Sequence, residues 1–309
     1  MSHESVEKAL VSPKTRIMHH TYCKDKGYQK MKKDLPIGVF DSGVGGLTVL
    51  KALMEACPNE DYIYLGDTAR LPYGTKSKET VIQYALSSSK ILVQEGIKCL
   101  VVACNTASSV ALPTLQAAFH PIPVIGVIEP SAGALASQIE YGKVLILATE
   151  STTKWHAYQQ AIHVLNPALE VLEWPCPLFV ALAEEGWTEG PLVSQIVEEV
   201  LKPVLTHKLQ GIILGCTHFP LLQGVIQELV KEVPIIDSAH SVAKVLSDYL
   251  ADHQLQNEGT YKRQIKFLAT DGIERFARVA NRFLGLKLPQ EAVALVSHPQ
   301  KSDTTVRSA

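Results

Sequence analysis

Leu100-Val101-Val102-Ala103-Cys104-Asn105-Thr106 and, about one domain later, Gly211-Ile212-Ile213-Leu214-Gly215-Cys216-Thr217-His218 share one grammar: an apolar run, a small residue, a cysteine, then small polar groups. A run this short and this continuously apolar suits a strand covered on both faces, and the polar residues behind it suit the opening of a helix. Similar runs stand at 37–40, 62–65, 124–127, 144–148, 169–172, 235–236 and 265–269. Between them the spacing turns helical. Segment 42–56 puts Leu47, Leu50, Leu53 and Met54 on one stripe, and segment 190–205 does the same with Leu192, Ile196, Val197, Val200 and Leu201. Strand alternating with helix specifies an α/β fold with mainly parallel sheets. The echo between the two cysteine segments predicts two such lobes facing each other across a cleft, with one cysteine in each.

The chain of 309 residues has room for about two domains at roughly 150 residues each. Hydrophobic residues make up 46% and charged ones 19%, and 29 basic against 31 acidic side chains leave a net charge of −2. That balance excludes a strongly basic nucleic-acid wrapper and an acidic disordered chain, so no direct nucleic-acid binding is expected. The six cysteines stand singly, without a C-x-x-C pair, which indicates reduced thiols and neither a disulfide framework nor a zinc ribbon. No apolar run approaches the roughly 18 residues of a membrane span, and residues 1–10 carry two glutamates where a secretion signal would be basic and then apolar. A cytoplasmic protein with no membrane partner is the expectation.

Residues 1–34 hold eight basic, four acidic and three histidine side chains without a sustained period, and they read as a flexible extension; Met31 offers an alternative start. Residues 287–309 are polar and read as a C-terminal tail. The expected division is a first lobe of 35–127 plus 238–286 and a second lobe of 128–237.

In open parallel sheets, ligands bind at the carboxyl ends of strands, where helix N-termini present free N–H groups. The first such end is Phe40-Asp41-Ser42-Gly43-Val44-Gly45-Gly46-Leu47, whose turn can receive an anion closely. It lacks the G-x-G-x-x-G spacing and the Walker lysine of nucleotide sites, which leaves a small carboxylate or a plain tight turn. The second end is Gly66-Asp67-Thr68-Ala69-Arg70-Leu71-Pro72-Tyr73-Gly74, in which Arg70 could hold Asp67 or a carboxylate and the Pro-Tyr-Gly turn could offer N–H groups and a phenol.

The third and fourth ends carry the cysteines. A cysteine beyond a strand and at the positive end of a helix sits where a thiolate is stabilised. Cys23, Cys57, Cys99 and Cys176 have no such placement and read as bystanders. Cys216-Thr217-His218 supplies too few ligands for zinc, so no metal site is expected. A Cys-His hydrolase would need one nucleophile, which leaves a second cysteine superfluous. Two thiols on opposite walls fit stereochemical inversion, in which one removes a proton from carbon and the other returns one to the opposite face.

The four segments, with Ile37-Gly38-Val39 ahead of the first and Phe219-Pro220 behind the last, resemble the glutamate racemase family in order and separation over about residues 35–286. The resemblance implies two Rossmann-like α/β lobes with the active site in the cleft between them, and a C-terminal strand returning to the first lobe. It implies cofactor-independent interconversion of L- and D-glutamate, supplying D-glutamate for peptidoglycan. By match, Cys104 and Cys216 are similar to the two proton donor/acceptors, Asp41 and His218 to their auxiliary residues, and Glu184 to a further acid. That last match is looser, because Glu185 competes for it and Ala181 stands where the family often has proline. Asp41-Ser42, Tyr73-Gly74, Asn105-Thr106 and Thr217-His218 match the substrate-binding pairs. Some relatives with added N-terminal residues are activated by a UDP-linked peptidoglycan precursor and some inhibit DNA gyrase; nothing in residues 1–34 shows either property. A homodimer is compatible with the resemblance, although a single sequence shows no interface.

Overall fold

A computed structural model describes residues 33–259, 263–285 and 288–298. Two parallel sheets organise them. The first has the strand order β10-β9-β2-β1-β3-β4, built from β1 (Ile37–Asp41), β2 (Tyr62–Gly66), β3 (Cys99–Val102), β4 (Val124–Gly126), β9 (Ile265–Ala269) and β10 (Val293–Leu295). The second has the order β6-β5-β7-β8, built from β5 (Gly142–Ala148), β6 (Leu169–Pro175), β7 (Leu209–Gly215) and β8 (Ile235–Asp237). All pairings among these strands are parallel. This is the two-lobed α/β arrangement that the alternation of elements predicts.

Strand alternation explains how three cores form from two sheets. Ile37, Val39 and Val101 of the first sheet enter the same central core as Val144, Ile146 and Ile213 of the second. Leu100 and Val102 point the other way, into the outer core of the first lobe, and Leu145, Ile212 and Leu214 point into the outer core of the second. Every one of these side chains is withdrawn from water, which contributes roughly 1.5–3 kcal/mol each for the larger aliphatic groups. The central core is shared, so apolar packing as well as polar contact joins the lobes.

Helices α1 (Leu47–Ala56), α2 (Lys78–Gln94), α3 (Asn105–Phe119), α4 (Ile128–Gln138), α5 (Glu150–Lys154), α6 (Ala157–Leu165), α7 (Pro177–Glu185), α8 (Pro191–Leu201), α9 (Gln223–Val230), α10 (Ser238–Asp252) and α11 (Ile273–Leu284) cover the sheets. Helix α1 starts at Leu47 and not at residue 42, because Gly43 to Gly46 form a turn around Asp41. Among the described residues the chain passes between the sheets twice, from β4 into α4 and from β8 into α10, and those two helices pack on each other.

The segment read as a polar tail is corrected in part: residues 293–295 form β10, which pairs with β9 at the sheet edge. Backbone hydrogen bonds to an existing strand supply the order that its composition does not. Residues 1–32 of the expected extension, with Cys23, and residues 299–309 of the expected tail lie outside the described residues. Among the described residues no helix is long and apolar enough to cross a membrane, and no group of three or more His, Cys, Asp or Glu side chains could hold a metal ion.

Candidate active site

Strand ends β1, β2 and β3 of the first lobe meet strand ends β5 and β7 of the second. Thr48 Oγ1 donates to the Thr217 carbonyl at 2.8 Å, Asn105 Nδ2 donates to Tyr158 Oη at 2.7 Å, and the Thr106 hydroxyl lies 3.0 Å from that of Thr149 and 3.2 Å from that of Thr152. Two glycines let the lobes come this close. A Cβ on Gly45 would collide with Thr217 and His218, and one on Gly74 would stand 2.8 Å from Thr149 Cβ. Cys104 and Cys216 are each only 5% exposed and His218 is 7% exposed, so the facing surfaces are closed to bulk water here.

On the first-lobe side, Asp41 ends β1 fully buried, and the glycine turn is folded around its carboxylate. The Gly43 N–H donates to Oδ2 at 2.9 Å, and a side chain on Gly46 would run into Asp41 itself. The turn expected to receive an anion is instead folded around a carboxyl group of the protein's own. Burial pushes the Asp41 carboxyl up from its ordinary range, against the nearby His218 and the N–H groups of Gly46, Gly43 and Ser42, which pull it down. Cys104 follows β3 as the N-cap of α3, its sulfur accepting from the Ala107 N–H at 3.4 Å and facing the Ser42 hydroxyl at 3.5 Å. Burial, with the Asp41 charge second, pushes this thiol up to about 12. At neutral pH Cys104 carries its proton.

On the second-lobe side, Cys216 follows β7 but does not open an α-helix. A 3-10 turn, Phe219–Leu222, containing Pro220, comes first, and α9 begins only at Gln223. This corrects the expected equivalence of the two cysteine ends. The neighbour of Cys216 is His218, whose Nδ1 lies 3.8 Å from the sulfur and whose Nε2 lies 3.2 Å from Glu184 Oε1. Burial alone would lower the imidazole; the contacts with Cys216 and Glu184 override it and lift His218 to about 10. Glu184 is opposed by burial too, yet His218 and Arg275 hold its carboxyl below the ordinary range. Arg275 Nη2 donates to Glu184 Oε2 at 2.9 Å from helix α11 of the first lobe, and the ring of Phe283 on that helix meets His218 edge-on at 5.5 Å. Glu185 faces outward and reaches Arg275 only at 3.7 Å, so the structure brings Glu184, not Glu185, to His218.

Tyr73 and Gly74 lie in a 3-10 turn, Tyr73–Thr75, next to Thr149. The phenol donates to the Asp67 carboxylate, which leaves the turn's backbone as its polar offering to the cleft. Asn105 and Thr106 open α3 beside Tyr158 and Thr149. Asp41 Oδ1 and Asn105 Oδ1 are buried without a hydrogen-bond partner, an uncommon and costly state for polar atoms. Thr149, Thr152, Tyr158 and Arg275 lie outside the four strand-end motifs of the sequence. The cue available for the threonines was Thr149-Glu150-Ser151-Thr152 directly after the run 144–148, a strand end with its own cap: Thr149 Oγ1 accepts from the Thr152 N–H at 3.3 Å. Cys176 is buried in the same core as Cys216; burial, with Cys216 second, raises its thiol, so its surroundings are less remote than a bystander's.

Residues 37–246 match the family model described as Asp/Glu/Hydantoin racemase. The chain is 47% identical over 253 residues to the glutamate racemase of Geobacter metallireducens, covering 82% of this chain and 93% of that protein. The structure resembles that of Francisella tularensis glutamate racemase in complex with D-glutamate, with a TM-score of 0.80 and 38% identity over 86% of this chain and 98% of the other. It also resembles Escherichia coli glutamate racemase in complex with L-glutamate and the activator UDP-MurNAc-ala, with a TM-score of 0.65 and 30% identity over 81% and 95% of the two chains.

Proposed function

Since the chain belongs to the Asp/Glu/Hydantoin racemase family and is an isomerase, we propose that it interconverts L- and D-glutamate by proton transfer at Cα between Cys104 and Cys216. The observation that carries this reading is the pair of sulfurs at corresponding strand ends of opposite lobes, each with an ionisable partner of its own, Asp41 or His218. A substrate Cα held between them has one sulfur on each face. One cysteine, as thiolate, takes the proton, and the opposite thiol delivers another.

A thiolate of ordinary pKa, about 8.5, is a mild base for an amino-acid Cα–H, so the developing negative charge must be stabilised strongly. The closed, dry contact between the lobes supports this, because dipoles act at full strength where water is excluded. The substrate's charged ends meet Ser42, the Tyr73-Gly74 backbone, Asn105-Thr106 and Thr217-His218, with the unpartnered Asn105 Oδ1 suited to an ammonium hydrogen. His218 keeps a proton between Cys216 and Glu184, and Asp41 serves the Cys104 side. Supply of D-glutamate for peptidoglycan in a reducing cytoplasm fits free thiols at both positions. Activation by a UDP-linked precursor rests on the E. coli complex alone; rates measured with and without that precursor test it.

The central test is circular-dichroism racemisation of each glutamate enantiomer by the purified protein without added cofactor, with aspartate alongside. Both enantiomers of glutamate should converge on a racemic mixture, and in D2O the product should carry deuterium at Cα. Turnover of aspartate in preference to glutamate would reassign the substrate, and bond cleavage in place of exchange would overturn the reaction class.

A further inference from the structure

Asp67, just beyond β2, is fully buried and gathers four donors from three separate parts of the chain. Oδ2 accepts from Tyr73 Oη and from Arg70 Nε at 2.7 Å, while Oδ1 accepts from Thr270 Oγ1 at 2.9 Å and meets His298 Nε2 at 2.9 Å. Thr270 follows β9, and His298 follows β10 in the segment that composition marks as a tail. Arg70 Nη2 also stands 3.1 Å from His298 Nδ1 and donates to Ser87 and Ser88, while its guanidinium lies 4.2 Å over the Tyr84 ring.

Donor chemistry fixes the state of His298. Guanidinium nitrogens only donate, so Nδ1 must accept, and the ring proton must therefore sit on Nε2 and be donated to Asp67. That arrangement satisfies both neighbours at once. Everything assembled on Asp67 converges on Tyr73, whose ring is walled by Phe40 and Tyr84 and whose next residue touches Thr149 of the other lobe.

We propose that Asp67, Arg70 and His298 are positioning residues for the Tyr73-Gly74 turn, and that residues 296–298 after β10 act as a latch holding that wall of the substrate site. The proposal rests on the reading of this cleft as the glutamate site. The latch acts on binding geometry and not on the reacting atoms, so its loss should weaken substrate binding in ground and transition states alike.

The test uses the full chain with His298→Ala and His298→Gln, the latter keeping an N–H near the position of Nε2. In His298→Ala, KM for both enantiomers should rise about three- to tenfold with kcat within about twofold, and amide hydrogen exchange over residues 71–76 should quicken. His298→Gln should restore both readouts to near wild type. Should His298→Ala not fold, His298→Asn, too short to reach Asp67, should show the same rise relative to His298→Gln. Unchanged KM and exchange, or equal losses in the alanine and glutamine variants, would overturn the latch. A wild-type protein inert toward glutamate would sink the site reading instead, and the exchange comparison would still decide whether the segment holds the turn.

Discussion

The two cysteine ends share a sequence grammar and differ in electrostatics. Cys104 is an N-cap bonded to Ala107 and Ser42 with a buried carboxylate beside it, and it is pushed up to about 12, so it holds a proton. Cys216 precedes a 3-10 turn and has an imidazole two residues on, lifted to about 10 by the sulfur and by Glu184. On one side the Cys104 sulfur holds its proton, and on the other the His218 imidazole holds one. The fold thus places a sulfur at a strand end of each lobe, and the local backbone and the neighbouring side chains make the two chemically unequal. A site for inversion need not be symmetric in its resting state, only complete on both faces.

The comparison breaks first at the sulfurs. Cys104→Ala and Cys216→Ala should each reduce racemisation by about a thousandfold or more in both directions, a loss on the scale of removing a general acid or base, checked by circular dichroism. Near-normal turnover in either variant would end the two-thiol reading. At the next level, Asp41→Asn and His218→Asn should depress kcat unequally, by about tenfold between L-to-D and D-to-L, with KM changing in step because the equilibrium constant is one; initial rates at saturating concentrations of each enantiomer measure it. Equal losses would mean that the unlike neighbours have no separate roles.

A smaller effect sharpens the comparison through pH. Glu184→Gln removes one of the two groups that raise His218, so His218 should lose its proton at lower pH and the alkaline limb of kcat/KM should move down. The stability sign is equally definite. His218 binds its proton more tightly folded than unfolded, so that contribution is complete below its ordinary 6.5 and is lost as pH rises through about 10. Chemical denaturation of wild type and Glu184→Gln at pH 6 and pH 10 should show a gap that narrows at the higher pH. Least of all, Thr48→Ala removes the hydrogen bond to the Thr217 carbonyl and should lower stability by about 1 kcal/mol, with no preference between reaction directions.

Much of this was legible because buried parallel strands have a local signature. Runs such as 100–103 and 212–214 need both faces apolar, and the residues just behind them fall at the carboxyl edge, where sites form. What stayed hidden depends on contacts distant in sequence. Val293–Leu295 has no amphipathic pattern of its own and is a strand because β9 offers an edge. The partner of His218 sits 34 residues away, and the choice between Glu184 and Glu185 is a choice of helix face that one register step decides. The group that the glycine turn encloses is Asp41, which only the folded turn shows. His298 could not be found from composition, because its partners lie more than two hundred residues earlier.

The two passages of chain between the lobes have a mechanical consequence. They lie side by side, with α4 packed on α10 and the shared apolar core behind them. Two adjacent connections backed by one core form a seam: the relative placement of the lobes is set by apolar packing along it as well as by the polar contacts at the strand ends. The strand ends that carry Cys104 and Cys216 therefore keep their places through the packing along this seam, without any separate means of registration.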